Sequence, residues 1–181
     1  GYINNYLPNF PQPELRMMLS GFAAREALHI AAYSHLIESL GMPETVYNEF
    51  NEYDAMREKH EFFQSKIMNG ANVPVKIAAI SAFTEGLSLF SSFIMLLNFP
   101  RHGKMKGMGQ IVTWSIRDES LHVEGLSELF RTFMRENPEL WTDKLKYEIY
   151  CAAERTVELE DKFIDICFNK VSVPDLTARE V

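Results

Sequence analysis

Short breakers rich in proline, glycine and asparagine separate five long helical patterns in this chain, and that spacing restricts its fold more than any other feature. "PQPE" around Gln12 starts a helical pattern that runs to Leu40 and stops at "LGMPE". Pro43 opens a second, to about Met68, which "NGANVP" ends. A third spans Val73 to Asn98 and stops at "FPRHGK"; a fourth runs from Gly107 to Glu136. Pro138 opens a fifth that reaches Asn169. Each breaker lacks a backbone donor or favours a non-helical dihedral, so the boundaries have a physical cause. Alternating apolar residues are scarce, and "KIAAISAF" fits the helical period as well as the strand period, so no strand is expected. Stretches of roughly 25 to 32 residues exceed the mean globular helix of about 11–12, and short connections between them make an antiparallel bundle. The expectation is an all-α chain, residues 1–181 forming a single helical domain. The tail "KVSVPDLTAREV" reads as a loop followed by the beginning of another element.

Composition narrows the function classes. With 181 residues the chain can bury one substantial core. A net charge of −7, with 18 Lys and Arg that form no long run, argues against nucleic acid as a partner, because binding a polyanion needs a basic surface. "GLSLFSSFIMLLNFP", 86–100, is too short and too serine-rich to span a bilayer comfortably; it reads as a buried helix segment, and no membrane partner is expected. The opening "GYINNYLPNFPQPE" carries no basic n-region and no cleavage pattern, which favours a cytoplasmic location. Cys151 and Cys167 fall sixteen residues apart in one helical pattern, roughly 24 Å along its axis, too far for a disulfide. They are expected as core thiols.

Against this background a few polar residues stand in apolar surroundings. The five histidines are His29, His35, His60, His102 and His122, and two of them follow a glutamate by three places: Glu26-Ala-Leu-His29 and Glu119-Ser-Leu-His122. That spacing puts both side chains on one helix face, within reach of one ion. Spacing alone is weak evidence, because glutamate is abundant here and paired surface residues produce the same pattern. Context adds to it: "GFAAR" and "ALHIAAY" flank Glu26, "IVTWSIRD" and "SLHVEGL" flank Glu119, and neither is a charged, solvated face. Between them lies Glu85, the only acidic residue from Gly70 to Arg117, in "ISAFTEGLSLFSSFIMLL". A carboxylate there costs several kcal/mol unless it is paired or bound to a cation, and no basic residue sits one turn away. An arginine from another helix would be the purely structural partner. The order Glu-x-x-His, lone Glu, Glu-x-x-His is the ligand set of carboxylate-bridged dinuclear sites in helical bundles, less one carboxylate. Hard oxygen donors with one imidazole per metal suit iron or manganese better than zinc.

The same residues resemble the radical-generating small subunit of class I ribonucleotide reductase. "PELRMMLSGFAAREALHIAAYSHLIESLG" is similar to that family's first Glu-x-x-His helix, with the radical tyrosine four places on; "RDESLHVEG", 117–125, is similar to its second ligand motif, and "TEGLSLFSSF", 84–93, to its lone bridging glutamate. The likeness extends from about Pro11 to Asn169. It implies a ferritin-like helical bundle in which Glu26, His29, Glu85, Glu119 and His122 are metal ligands and Tyr33 is the radical site. It also implies that Asp118 hydrogen-bonds the first ligand histidine and belongs to the electron-transfer route. The implied cofactor is dinuclear iron, with manganese or a mixed Mn/Fe pair as alternatives; it activates dioxygen to form the tyrosyl radical. The implied partners are a second copy of the chain, as a homodimer, and the large catalytic subunit, which uses the radical to reduce ribonucleotides to deoxyribonucleotides. No glycine-rich phosphate loop is present, as fits a subunit that binds no nucleotide substrate.

Departures from the pattern set further expectations. The family's first ligand is an aspartate that would fall just upstream of Gly1, and its last helix and docking tail would follow Val181, so the chain is expected to be a fragment of a longer protein. Leu89 and Phe93, one and two turns after Glu85, fit an apolar pocket around a radical, whereas Ser115, one turn before Glu119, is polar. Two rival readings use the same ligands: a ferritin-like iron storage protein, which needs no tyrosine beside the metal, and a two-metal oxidase acting on an organic ligand.

Overall fold

The computed structural model describes residues 2–170 and 172–181, and among them there is no β-strand. The chain divides into two compact units, Gly1–Tyr47 and Asn48–Val181.

The first unit is built on one helix, α1 (Pro13–Ser39), preceded by a wide turn at Tyr2–Tyr6 and a 3₁₀ turn at Leu7–Asn9. Pro13 at its first position has no N–H to leave unsatisfied, which starts the helix cleanly. Aromatic rings hold the entry segment: Tyr2 packs edge-on against Phe22, ring centres 5.9 Å apart, and lies 6.2 Å from Tyr6. Arg16 Nη1 adds a hydrogen bond to the Leu7 carbonyl at 3.2 Å. At the other end Gly41 takes φ +67°, a conformation most residues resist, and its N–H closes on the Glu38 carbonyl at 2.9 Å.

In the second unit, α6 (Lys106–Glu136) is the organising element. Apart from Gly109, its buried residues are Met108, Val112, Ser115, Glu119, His122, Leu126 and Leu129, alternately four and three apart, the spacing of a seam that stays on one face of a long helix. Against it packs the segment Val73–Arg101, made of α4 (Val73–Ala78), a run of wide π-type turns at Ala79–Ser88, and α5 (Phe90–Arg101). Helix α7 (Asp143–Lys170) covers α4 and the wide turns through a face that includes Leu145, Ala152, Thr156 and Leu159. Helix α3 (Asp54–Glu61), extended by wide turns at Phe62–Met68, packs on α7; a one-turn α2 (Val46–Glu49) precedes it.

Helices α5 and α6 approach so closely at Gly109 that a Cβ there would lie 2.7 Å from Pro100 Cγ. A proline ring cannot swing aside, so Gly109→Ala is expected to destabilise the chain by about 1–3 kcal/mol, read as a lowered urea midpoint at unchanged slope.

Three expectations meet a different outcome here. The second long pattern is not one helix: between Pro43 and Met68 it breaks into α2, a 3₁₀ turn at Phe50–Glu52 and α3, with Tyr53 extended between them. The cluster "NEFNEYD" supplies the reason, since asparagine and aspartate bond locally in non-helical turns. The fifth starts at Asp143, because Pro138–Leu140 forms a 3₁₀ turn and Thr142 Oγ1 accepts the Leu145 N–H. Both cysteines are free but only half buried.

The stretch that reads as a buried helix segment is buried on a mostly polar face. Within 83–97 the buried residues are Glu85, Ser88, Ser91 and Phe93, while Leu87 and Ile94 are each 38% exposed. By length and composition Val73–Arg101 could cross a membrane; within this unit it turns its polar side chains inward.

Candidate metal centre

Glu119 and His122 occupy consecutive places on the α6 seam, where Leu126 and Leu129 continue the apolar row. Both are 1% exposed. Their spacing of three brings His122 Nδ1 to 2.9 Å from Glu119 Oε2, and the imidazole donates to that carboxylate.

Glu85 reaches the same point from the facing segment. The wide turns at Ala79–Ser88 carry it, and Thr84 Oγ1 donates across five residues to the Ala79 carbonyl at 3.3 Å, the span of a widened turn. Gly86 beside it lets the backbone come close to α6: a Cβ there would sit 3.2 Å from the Ser81 carbonyl and 3.6 Å from Val123 Cγ2. Glu85 is 7% exposed, and its Oε2 lies 3.6 Å from His122 Nδ1. A buried histidine is thus one partner of the lone glutamate.

Each of Glu85, Glu119 and His122 thus offers a ligand atom within 4.8 Å of the others. Burial drives the imidazole pKa down, but hydrogen bonds to Glu119 and then Glu85 outweigh it and raise the value to about 9. Two carboxyl groups thus face one imidazole in the dry interior. Two hard oxygen donors and one imidazole fit a divalent iron or manganese ion, which would take the place of the imidazolium proton.

The other predicted residues lie as follows. Glu26 and His29 stand one turn apart on α1, with Glu26 Oε1 3.8 Å from His29 Nδ1; the histidine side chain is 14% exposed and the glutamate 36%. Tyr33, one further turn along that helix, is half buried. Asp118 lies on α6 next to the seam, its side chain 15% exposed and 3.7 Å from Arg117 Nη2. Ser115 is 2% exposed and Phe93 5%, so the polar position is as dry as the aromatic one.

Sequence reasoning passed over a third buried carboxylate, Glu160 on α7, 5% exposed. Its signal was present: it follows Thr156 by one turn on the face that Leu145 and Ala152 begin.

Comparison with known proteins gives a consistent result. The family model described as "Ribonucleotide reductase, small chain" matches residues 1–181. A probable ribonucleoside-diphosphate reductase small subunit of Invertebrate iridescent virus 3 is 47% identical over all of this chain and 53% of its own length. A second, of Invertebrate iridescent virus 6, is 45% identical over 93% of this chain and 52% of its own. The ribonucleoside-diphosphate reductase subunit beta of Chlamydia pneumoniae is 32% identical over 86% and 49%. The chain spans about half the length of the curated relatives it matches.

Proposed function

The chain belongs to the ribonucleotide reductase small-chain family, which has a ferritin-like helical fold, and from that premise we propose that it is the radical-generating small subunit of a ribonucleoside-diphosphate reductase. The observation that carries the reading is the dry group of Glu85, Glu119 and His122, which gathers two carboxylates and an imidazole where a helical core would otherwise place leucine. We add Glu26 and His29 as ligands on the strength of the repeated Glu-x-x-His motif, and iron as the metal, with manganese or a mixed pair as alternatives.

When bound, such a metal pair supplies the oxidation of a phenol by dioxygen. The chain's own residues then have distinct tasks. Glu85 and Glu119 neutralise cationic charge that a dry interior would otherwise reject. His122, once the proton it shares with Glu119 is lost, contributes a neutral nitrogen donor beside the two carboxylates. Tyr33, half buried on α1, is the phenol that is oxidised, its electron and phenolic proton going to dioxygen. Asp118 orients a ligand histidine and lies on the route of the electron to the large catalytic subunit. A homodimer in the cytoplasm completes the proposal.

The test is to supply the full-length protein with iron(II) and oxygen and then add a large subunit with ribonucleoside diphosphate. A tyrosyl radical signal and deoxyribonucleotide formation are expected. A protein that takes up iron into a mineral core and gives neither would be a storage protein instead.

A further inference from the structure

Glu160, buried, and Lys59, 19% exposed, form an ion pair outside the ligand cluster at one joint of the segment that carries Glu85. Lys59 on α3 pairs through Nζ with Glu160 Oε1. The same Nζ donates to the Ser88 carbonyl at 3.4 Å, and Ser91 Oγ donates to Glu160 Oε2 at 2.9 Å. Ser88 ends the wide turns and Ser91 belongs to α5, so the pair grips the segment on both sides of Leu89, the residue that joins the two elements. The Phe163 ring lies 5.3 Å from the ammonium, and Ser88, Ser91 and Glu160 are all buried.

An ion pair in such a place is a poor source of stability, because desolvating both charges offsets most of their attraction. What a buried pair of fixed geometry does supply is one defined arrangement. The wide turns need one, since i→i+5 turns are rare and occur mostly as short interruptions of an α-helix. Taking one residue out of the widened stretch would rotate the helix beyond it by about 100° relative to α4, whose Val75 and Ile77 are anchored in the core. Glu85 sits inside that stretch, one turn before the joint, so such a rotation would swing its carboxylate away from His122.

We propose that Lys59, Glu160 and Ser91 act as a clamp that holds the wide turns at Ala79–Ser88 and so aims Glu85 at the metal. They are positioning residues, with no contact to the ligands themselves. The inference rests on the proposed metal site for its purpose, but the clamp itself can be tested without metal.

The experiment uses the full-length protein carrying Lys59→Met with Glu160→Gln, which removes both charges at nearly constant volume and leaves an amide oxygen to accept from Ser91. Ser91→Ala serves as a milder variant should the double one fail to fold. Glu58→Gln is the control: Glu58 bridges α3 to α7 through Arg155 at 2.9 Å and Lys162 at 2.6 Å, on the same interface but away from the joint. Amide hydrogen exchange in the metal-free protein is expected to rise about tenfold for residues 79–88 in the double variant, to a smaller extent in Ser91→Ala, and not in the control. Cobalt(II) affinity should fall about tenfold in the double variant, within the range seen when outer partners of metal ligands are lost, and stay unchanged in the control. Exchange that stays at the wild-type rate, or rises equally throughout α6 and α7, would overturn the clamp. Failure of the metal reading looks different: wild type would then bind no cobalt, while the exchange result still decides on the clamp.

Discussion

Tyr33→Phe is expected to abolish the tyrosyl radical signal that iron(II) and oxygen produce in the full-length protein, while leaving bound iron unchanged. The substitution removes one oxygen atom from a half-buried ring and keeps its shape, so its effect on stability should stay below about 1.5 kcal/mol. A change confined to the radical therefore isolates the phenol's chemistry from the fold. The chain has seven tyrosines, and their settings make Tyr33 the choice. Tyr2 and Tyr6 are rings of an aromatic cluster, Tyr53 receives a hydrogen bond from Lys170, and Tyr47, Tyr147 and Tyr150 are 49%, 70% and 68% exposed, where solvent would quench a radical. Tyr33 follows His29 by four residues and Glu26 by seven, two turns on one helical face. Electron paramagnetic resonance reads the outcome directly. A signal of wild-type size in the variant would move the radical to another residue and sink the assignment.

Much of this was legible in the sequence, for definite reasons. The buried row on α6 follows a strict alternation of four and three, so Glu119 and His122 could be recognised as occupants of core positions. Glu85 announced itself by its lack of any charged neighbour along the chain, and the structure supplies the partner that burial demands. What stayed hidden depends on backbone geometry that residue patterns do not encode. The wide turns at Ala79–Ser88 have the same apolar content as an α-helix, yet they decide where Glu85 points and why the buried face of the segment is polar. The Lys59–Glu160 pair joins residues about a hundred positions apart, and each alone looks like an ordinary helix-surface charge. The break in the second pattern was written in "NEFNEYD", but its apolar spacing concealed the local turn chemistry.

Glu85→Ala is expected to cut iron bound per chain to a small fraction of the wild-type value, and Glu85→Gln to reduce it less severely. The two substitutions separate lost volume from lost charge. Alanine removes both donor oxygens and leaves a void on the buried face; glutamine keeps the volume and one neutral oxygen but loses the charge that offsets a divalent cation. In the metal-free protein neither change should be severe. His122 keeps its 2.9 Å hydrogen bond to Glu119, and removing one of two crowded carboxylates relieves repulsion as well as losing an attraction. Thermal unfolding with and without chelator makes the distinction quantitative. A ligand at a hundred times its dissociation constant stabilises a folded chain by about 2.7 kcal/mol, so the wild-type melting temperature should drop on chelation while that of Glu85→Ala should not move. If Glu85→Ala bound as much iron as wild type and still lost stability on chelation, Glu85 would be a structural partner of His122. The cation would then have to be held without it. The opposite result, metal lost in both variants with the chelated proteins equally stable, would assign the buried carboxylate to the ion and not to the fold.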